Sequence, residues 1–145
     1  MIAIGADHAG FELKEKVKGL LTEMGLPYKD LGTNSTASTD YPDYAYAVAE
    51  SIAKGESDRG IMVCGTGIGM AITANKVEGI RAANVESVEA AKMSRSHNNA
   101  NVVAIGARLT PWETAKEIIR VFLTTPFEGG RHERRVEKIH TLTNL

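Results

Sequence analysis

Short apolar runs alternate with segments of helical apolar spacing along the whole chain. Residues 1–6, 61–63 and 102–106 are apolar runs of strand length, and residues 11–24 place their apolar side chains on one helical face. Continuous apolar runs are typical of strands that are buried on both faces of a parallel sheet. The alternation therefore predicts an α/β fold with a five-stranded, mostly parallel sheet and helices on both faces.

Turn-forming and capping residues mark the ends of the other predicted elements. Gly129-Gly130 precedes the last predicted helix, and Pro111 is expected to begin the helix before it, because proline fits a first helical turn. We expect Asp43 to cap the second helix. Together the elements predict one Rossmann-like three-layer sandwich over residues 1–145. The remaining predicted strands are 28–31 and 81–85, and the remaining predicted helices are 43–54, 68–76, 88–95, 111–124 and 131–144.

The composition excludes several classes of function. With 145 residues and 43% apolar content, the chain can bury a sizeable core as one domain. Its net charge of −1 predicts no general attraction to nucleic acid or to an anionic membrane surface. The sequence shows one cysteine, no evident signal segment and no apolar run of about 18 residues. We therefore expect a cytoplasmic protein without an internal disulfide.

The run from Arg59 to Met70 combines an apolar strand with the chain's one cysteine and with glycine at every second position. We expect Cys64, Gly65 and Gly67 at the turn between a strand and a helix, which is where open α/β sheets bind ligands. Glycines let backbone N–H groups face an anion, and a helix N-terminus favours the thiolate form that can act as a base. The alternative is an inert, buried cysteine beside a tight turn.

Three well-known loops do not fit this run. A Walker loop needs Gly-Lys-Ser/Thr after its spacer, and the first lysine after the glycines is Lys76. Met70 stands where a dinucleotide-binding loop needs glycine, and where a cysteine phosphatase loop needs arginine. The sequence therefore favours proton transfer by the thiol over phosphoryl transfer.

Further polar candidates follow other predicted elements. Asp7 and His8 come after the first strand, at the same rim of a parallel sheet as Cys64, although Asp7 could instead only cap the following helix. Tyr41 could line a pocket wall. His97 lies in an asparagine-rich loop, where an imidazole can exchange protons near neutral pH, and the alternative is a solvated loop histidine.

Three arginines are candidates for an anion site. Arg108 follows a predicted strand, and Arg131 and Arg135 lie four residues apart on one face of the last predicted helix. Cations in a first turn oppose the helix dipole, which costs roughly 0.3–1 kcal/mol unless an anion is nearby. Guanidinium groups bind phosphate through paired hydrogen bonds, so we expect a phosphate here. The alternative is a solvated charge cluster with Glu133 and Glu137.

These motifs, in this order and spacing over nearly the whole chain, resemble the type B ribose-5-phosphate isomerase family. The resemblance implies reversible conversion of ribose 5-phosphate to ribulose 5-phosphate through an enediolate, without a metal or an organic cofactor. The stretches that carry it are Asp7-His8-Ala9-Gly10, Asp40-Tyr41-Pro42-Asp43, Cys64-Gly65-Thr66-Gly67-Ile68-Gly69-Met70, His97-Asn98 and Gly129-Gly130-Arg131-His132-Glu133-Arg134-Arg135.

The resemblance also implies a role for each catalytic residue. Cys64 is the base that moves a proton between C2 and C1, and Thr66 assists proton movement between the sugar oxygens. Backbone N–H groups of residues 65–69 hold the developing oxyanion, and His97 opens the furanose ring. With Tyr41 included as a pocket-wall residue, the candidate substrate-binding residues are Asp7, His8, Tyr41, Gly65, Gly67, Gly69, Asn98, Arg108, Arg131 and Arg135.

Members of the family are dimers or tetramers whose sites combine residues of two subunits. The resemblance therefore implies a homodimer or homotetramer, in which the helix at 131–144 makes oligomer contacts and His97 serves a neighbour's Cys64. One stretch departs from the pattern, because Asn84-Val85-Glu86 stands where many relatives carry a string like Cys-His-Asp. There the chain also resembles a galactose-6-phosphate isomerase subunit.

Several functions remain as alternatives to the pentose enzyme. Allose 6-phosphate and galactose 6-phosphate are substrates for the same chemistry, but they need room for one more hydroxymethylene group. A non-catalytic subunit that binds phosphosugars would need the arginines and the glycine loop but not the thiol. A thiol hydrolase would need a histidine and an acid beside Cys64, and the sequence alone does not place them there.

Overall fold

Five strands form the one sheet in the computed structural model, which describes residues 1–145. Every strand pairing is parallel, so the predicted α/β sandwich with helices on both faces is confirmed. The strands are β1 (Ile2–Ala6), β2 (Tyr28–Asp30), β3 (Arg59–Cys64), β4 (Ala82–Asn84) and β5 (Val102–Gly106), and the helices are α1 (Phe11–Glu23), α2 (Tyr41–Ala53), α3 (Ile68–Ala74), α4 (Val88–Ser96), α5 (Trp112–Thr124) and α6 (Arg131–Thr143).

The sheet separates two apolar layers. One layer packs α1, α4 and α5 against alternate strand residues such as Ile61 and Val63, and the other packs α2 and α3 against Met62 and Cys64. Successive side chains of a strand point to opposite faces, so β3 contributes to both layers. This is why β1, β3 and β5 appear in the sequence as continuous apolar runs.

The strand order is β2-β1-β3-β5-β4, and it reverses direction between β1 and β3. In open α/β sheets, the crevice at the carboxyl ends of such a pair is the usual ligand site. The start of α1 lies very close to β3 here, because a Cβ added to Gly10 would be 2.2 Å from the carbonyl oxygen of Val63. The topology therefore brings the loops after β1 and β3 together.

A buried lysine joins α1 to β2. The Lys14 side chain is 1% exposed, and its Nζ lies 2.6 Å from Oδ2 of Asp30. Burial raises the pKa of the Asp30 carboxyl, but hydrogen bonds from Lys14, Gly32 and Lys18 outweigh burial and hold that pKa below its ordinary value. The ion pair fixes α1, the helix that follows the loop after β1.

Two details of the predicted helix ends are wrong. The N-cap of α2 is Asp40, three residues before the predicted cap, and Asp43 lies in the first turn. The reason is that Pro42 fits a first turn, where its missing N–H costs no helical hydrogen bond. Pro111 is likewise the N-cap of α5 rather than its first residue. None of the six helices has the length and apolar character needed to span a membrane.

Candidate active site

The end of β3 holds the thiol beside the start of α3. The side chain of Cys64 is buried, and its Sγ accepts a hydrogen bond from the Gly67 N–H at 3.0 Å. Gly67 has a φ of 81°, in the left-handed region that favours glycine. The turn therefore directs a backbone N–H at the sulfur.

A cleft of about 400 Å³ opens over this sulfur. Its walls come from the end of β1, the start of α2, the loop after β3, the first turns of α3 and the loop after β5. The structure thereby brings together seven of the predicted site residues in one chain. The residues lining the cleft are Asp7, Tyr41, Cys64, Gly65, Thr66, Ile68, Gly69, Ile72 and Arg108.

Two of the glycines leave room for larger cleft residues. A Cβ at Gly69 would be 2.4 Å from Cε1 of Tyr41, and a Cβ at Gly65 would be 3.1 Å from Nη1 of Arg108. The Arg108 backbone N–H also donates to the Gly65 carbonyl oxygen at 3.0 Å. The glycine spacing therefore lets a tyrosine ring and a guanidinium group lie against the loop.

Asp7 lines the β1 side of the cleft, and His8 follows it in the chain. Oδ1 of Asp7 accepts the Gly10 N–H at 3.0 Å, while Gly10 itself is the N-cap of α1. His8 exchanges two hydrogen bonds with Thr39: its N–H donates to Oγ1, and its Nδ1 accepts the Thr39 N–H, both at 3.1 Å. With Nδ1 accepting, the neutral ring carries its proton on Nε2, which can donate to a ligand.

Asn84 supports the glycine loop, and the sequence argument did not assign it a role. Its Nδ2 donates to the Thr66 carbonyl oxygen at 3.2 Å and to the Ala104 carbonyl oxygen at 3.1 Å. The amide thus ties the loop to β5. The available signal was a polar residue at the end of a predicted strand, within the stretch that departs from the family pattern.

Glu128, His97 and His132 form a second group of titratable side chains, which we call the histidine cluster. The two imidazole rings stack with centroids 4.4 Å apart. Burial, followed by repulsion from His97 and Arg131, lowers the pKa of His132 below its ordinary value. Glu128 and His132 were not predicted as site residues.

The connection after α4 is held by a buried arginine. Nη1 of Arg95 donates to Oδ1 of Asn99 at 2.9 Å and to the Ala100 carbonyl oxygen at 2.6 Å. Burial, with repulsion from other arginines, lowers its pKa to about 10, so Arg95 remains charged at neutral pH. His97 begins this connection at the C-cap of α4.

Six predicted site residues do not line the Cys64 cleft. His8 and Gly67 are next to lining residues in the chain, and the other four lie elsewhere. His97 lies in the histidine cluster, and Asn98 lines a different groove together with Arg81 and His140. Arg131 and Arg135 lie in the first two turns of α6. One chain therefore carries two separate groups of candidate site residues, and their assigned roles stay predictions.

Known proteins resemble this chain over nearly its whole length. A family model described as Ribose/Galactose Isomerase matches residues 2–139. Ribose-5-phosphate isomerase B of Escherichia coli is 49% identical over 95% of this chain and 93% of its own. D-erythrulose-4-phosphate isomerase of Pectobacterium atrosepticum is 48% identical over 95% and 91%.

Solved structures agree with the sequence relatives. The structure of Clostridium thermocellum ribose-5-phosphate isomerase B is similar with a TM-score of 0.97 and 45% identity, covering 99% of this chain and 97% of that one. The likeness therefore extends over the sheet, its flanking helices and the loops that form the cleft. On the family match and these identities, the chain belongs to the ribose/galactose isomerase family.

Proposed function

We propose that this protein is an aldose–ketose isomerase that interconverts ribose 5-phosphate and ribulose 5-phosphate. The observation that carries the proposal is the thiol of Cys64, which lies in a cleft and accepts the Gly67 N–H. The similarity to ribose-5-phosphate isomerase B of Escherichia coli supports this substrate. The chemistry needs a base, donors for an enediolate oxygen and cations for a phosphate.

The proposed mechanism gives each of these groups one role. Cys64 as thiolate removes a proton from C2 and returns it to C1, and Thr66 moves a proton between the sugar oxygens. Backbone N–H groups of the loop at 65–69 stabilise the oxyanion, and one such donor can contribute about 3–4 kcal/mol. Two of these groups already have partners, because the Gly67 N–H donates to Sγ of Cys64 and the Ile68 N–H donates to Oγ1 of Thr66. The oxyanion role therefore falls to the other N–H groups of the loop. Asp7 orients the sugar hydroxyl groups, since it lines the same cleft.

A shared site would unite the two groups of residues. We propose a homodimer or homotetramer in which His97, Asn98, Arg131 and Arg135 of one subunit complete the cleft of another. The exposed apolar face of α6 supports oligomer contacts, because Val136 is its one buried residue while Ile139 and Leu142 are 45% and 78% exposed. A reactive free thiol is best preserved in a reducing compartment, which supports a cytoplasmic location.

The experiment that tests the function is turnover of ribose 5-phosphate in excess chelator. Allose 6-phosphate, galactose 6-phosphate and D-erythrulose 4-phosphate are assayed beside it, the last because of the Pectobacterium atrosepticum relative. Fast conversion of the pentose supports the proposal. Turnover of another sugar phosphate alone would change the substrate, and phosphosugar binding without turnover would favour a non-catalytic subunit. An acyl-enzyme trapped on Cys64 would indicate a thiol hydrolase.

The ring-opening role of His97 gives a prediction that depends on the substrate. His97→Asn should lower turnover of ribose 5-phosphate about 10²-fold, the usual contribution of a general acid or base. Ribulose 5-phosphate cannot close to a furanose, because its 5-oxygen carries the phosphate. The variant should therefore lose less activity on ribulose 5-phosphate than on ribose 5-phosphate. Initial rates in the two directions test this. Parental activity on ribose 5-phosphate would contradict the role.

The phosphate role of Arg131 predicts a change in KM. Arg131→Ala should raise the KM for ribose 5-phosphate by about 10-fold or more, because charged hydrogen bonds contribute about 1.5–3 kcal/mol. Arg134→Ala is the matched control, since Arg134 is an exposed arginine of the same helix that is not a predicted site residue. Equal KM values in the two variants would show that Arg131 does not bind the phosphate.

A further inference from the structure

The histidine cluster places three metal-ligating atoms close together. Nε2 of His132 lies 3.6 Å and Nε2 of His97 3.9 Å from Oε1 of Glu128. All three ligand atoms lie within 4.8 Å of one another. In a tetrahedral zinc site with bonds of about 2.0–2.1 Å, neighbouring ligand atoms are about 3.4 Å apart, so shifts of less than about 1 Å would complete the set.

The backbone holds this set together independently of the side chains. The Glu128 N–H donates to the Ser96 carbonyl oxygen at 3.0 Å, which fixes the segment before α6 beside the end of α4. The His132 N–H donates to the Gly129 carbonyl oxygen at 3.1 Å. The main-chain positions of Glu128 and His132 are therefore fixed beside the end of α4, and the Glu128 side chain spans the remaining distance to the two rings.

The donor types select the kind of ion. Two imidazoles and one carboxylate suit Zn²⁺ and similar transition-metal ions, whereas Mg²⁺ and Ca²⁺ prefer sites made only of oxygen ligands. Glu128 and His97 are 58% and 41% exposed at their side chains, so an ion can enter from solvent. Three protein ligands leave one position of a tetrahedral site open to water.

We propose that His97, Glu128 and His132 bind Zn²⁺, and that the bound ion inhibits isomerisation by occupying Nε2 of His97. The binding rests on the geometry of the cluster alone, while the inhibition rests on the proposed function, in which His97 must exchange a proton. The ion is an inhibitor and not a cofactor, so chelator should leave the reaction intact.

The charges around the cluster limit the strength of binding. Glu128 supplies the one negative charge among the three ligands, while Arg131 and Arg135 are close enough to act electrostatically on His132 and would repel a cation. A site with this balance binds more weakly than a closed structural zinc site. The inhibition should therefore be reversed by chelator.

Binding is measured first, without substrate, on the full chain after treatment with chelator and dialysis. Zinc is titrated against a chromophoric chelator, and Co²⁺ serves as a spectroscopic probe of the ligands. We expect one zinc per chain in the parent and at least about 10-fold weaker binding in Glu128→Gln and His132→Phe, since each removes one of three ligands. His132→Phe preserves an aromatic ring against His97, and Glu133→Gln is the matched control for loss of a nearby exposed carboxylate.

Two binding results would overturn the site. The first is zinc binding that is unchanged in Glu128→Gln and His132→Phe, or absent in the parent. The second is a sulfur-to-cobalt charge-transfer band that disappears in Cys64→Ser, because it would place the ion on the thiol.

Turnover of ribose 5-phosphate is then measured with and without zinc, and each variant is compared with its own zinc-free rate. Saturating zinc should slow the parent and Glu133→Gln about 10²-fold, the loss expected when an acid–base group is blocked, and should slow Glu128→Gln and His132→Phe much less at the same concentration. Zinc bound at the cluster without slowing turnover would overturn the inhibition and leave the isomerase function standing. If the zinc-free parent showed no turnover, the proposed function would be contradicted. The binding measurements would still test the zinc site.

Discussion

Cys64→Ala is expected to lower kcat for ribose 5-phosphate about 10²–10⁴-fold, the usual loss when a general base is removed. Substrate binding should largely remain, because the phosphate and hydroxyl contacts come from other residues. Steady-state kinetics measures the loss, and equilibrium binding of ribose 5-phosphate to the variant measures what remains. Substantial residual turnover would assign the base to another group.

Cys64→Ser separates the chemistry of the thiol from its packing. Serine is similar in size and can still accept the Gly67 N–H, which now donates to Sγ at 3.0 Å. A hydroxyl group is far weaker as a base near neutral pH, so the serine variant should be nearly as inactive as the alanine variant. If the serine variant turned over at the parental rate, Cys64 would be only a packing residue of the turn.

Gly10→Ala is expected to lower the free energy of unfolding by about 3 kcal/mol or more. Its new Cβ would lie 2.2 Å from the Val63 carbonyl oxygen, and a backbone atom cannot be moved by a change of rotamer. Gly10 has a φ of −97°, so the loss would come from the close contact and not from backbone strain. Denaturant titration of the variant and the parent measures the difference.

Gly19→Ala is the matched control within the same helix. A Cβ at Gly19 would have no heavy atom within 4 Å, and alanine favours a helix interior by about 0.5–1 kcal/mol over glycine. The control should therefore be as stable as the parent or more so. Equal stability of the Gly10 and Gly19 variants would show that α1 can move away from β3 without cost.

The fold was predictable because its signals are local. Buried parallel strands require continuous apolar runs, and the runs at β1, β3 and β5 have that form. Asp7, Cys64 and Arg108 could be grouped in advance because each follows a strand, and parallel strands end at one rim. The burial of Lys14 was not predictable, since lysine is ordinarily solvated and only the tertiary position of Asp30 gives its ammonium group a partner.

Other parts of the site depend on contacts between distant segments. Glu128 meets His97 because a backbone hydrogen bond joins the segment before α6 to Ser96 at the end of α4, and no pattern in the sequence reports that bond. The capping position of α2 was misassigned because both Asp40 and Asp43 are suitable residues, and Pro42 decides between them. Long-range geometry accounts for these differences from the sequence expectations.

The hydrogen bonds of Asn84 make the glycine loop at 65–69 depend on an edge of the sheet. β4 is a three-residue strand that pairs only with β5, and such edges open more readily than central strands. When β4 separates, the Thr66 carbonyl oxygen loses its Asn84 partner while β1, β3 and β5 remain paired. We therefore expect activity to fall on warming before the domain unfolds, because fraying of β4 would release the glycine loop first.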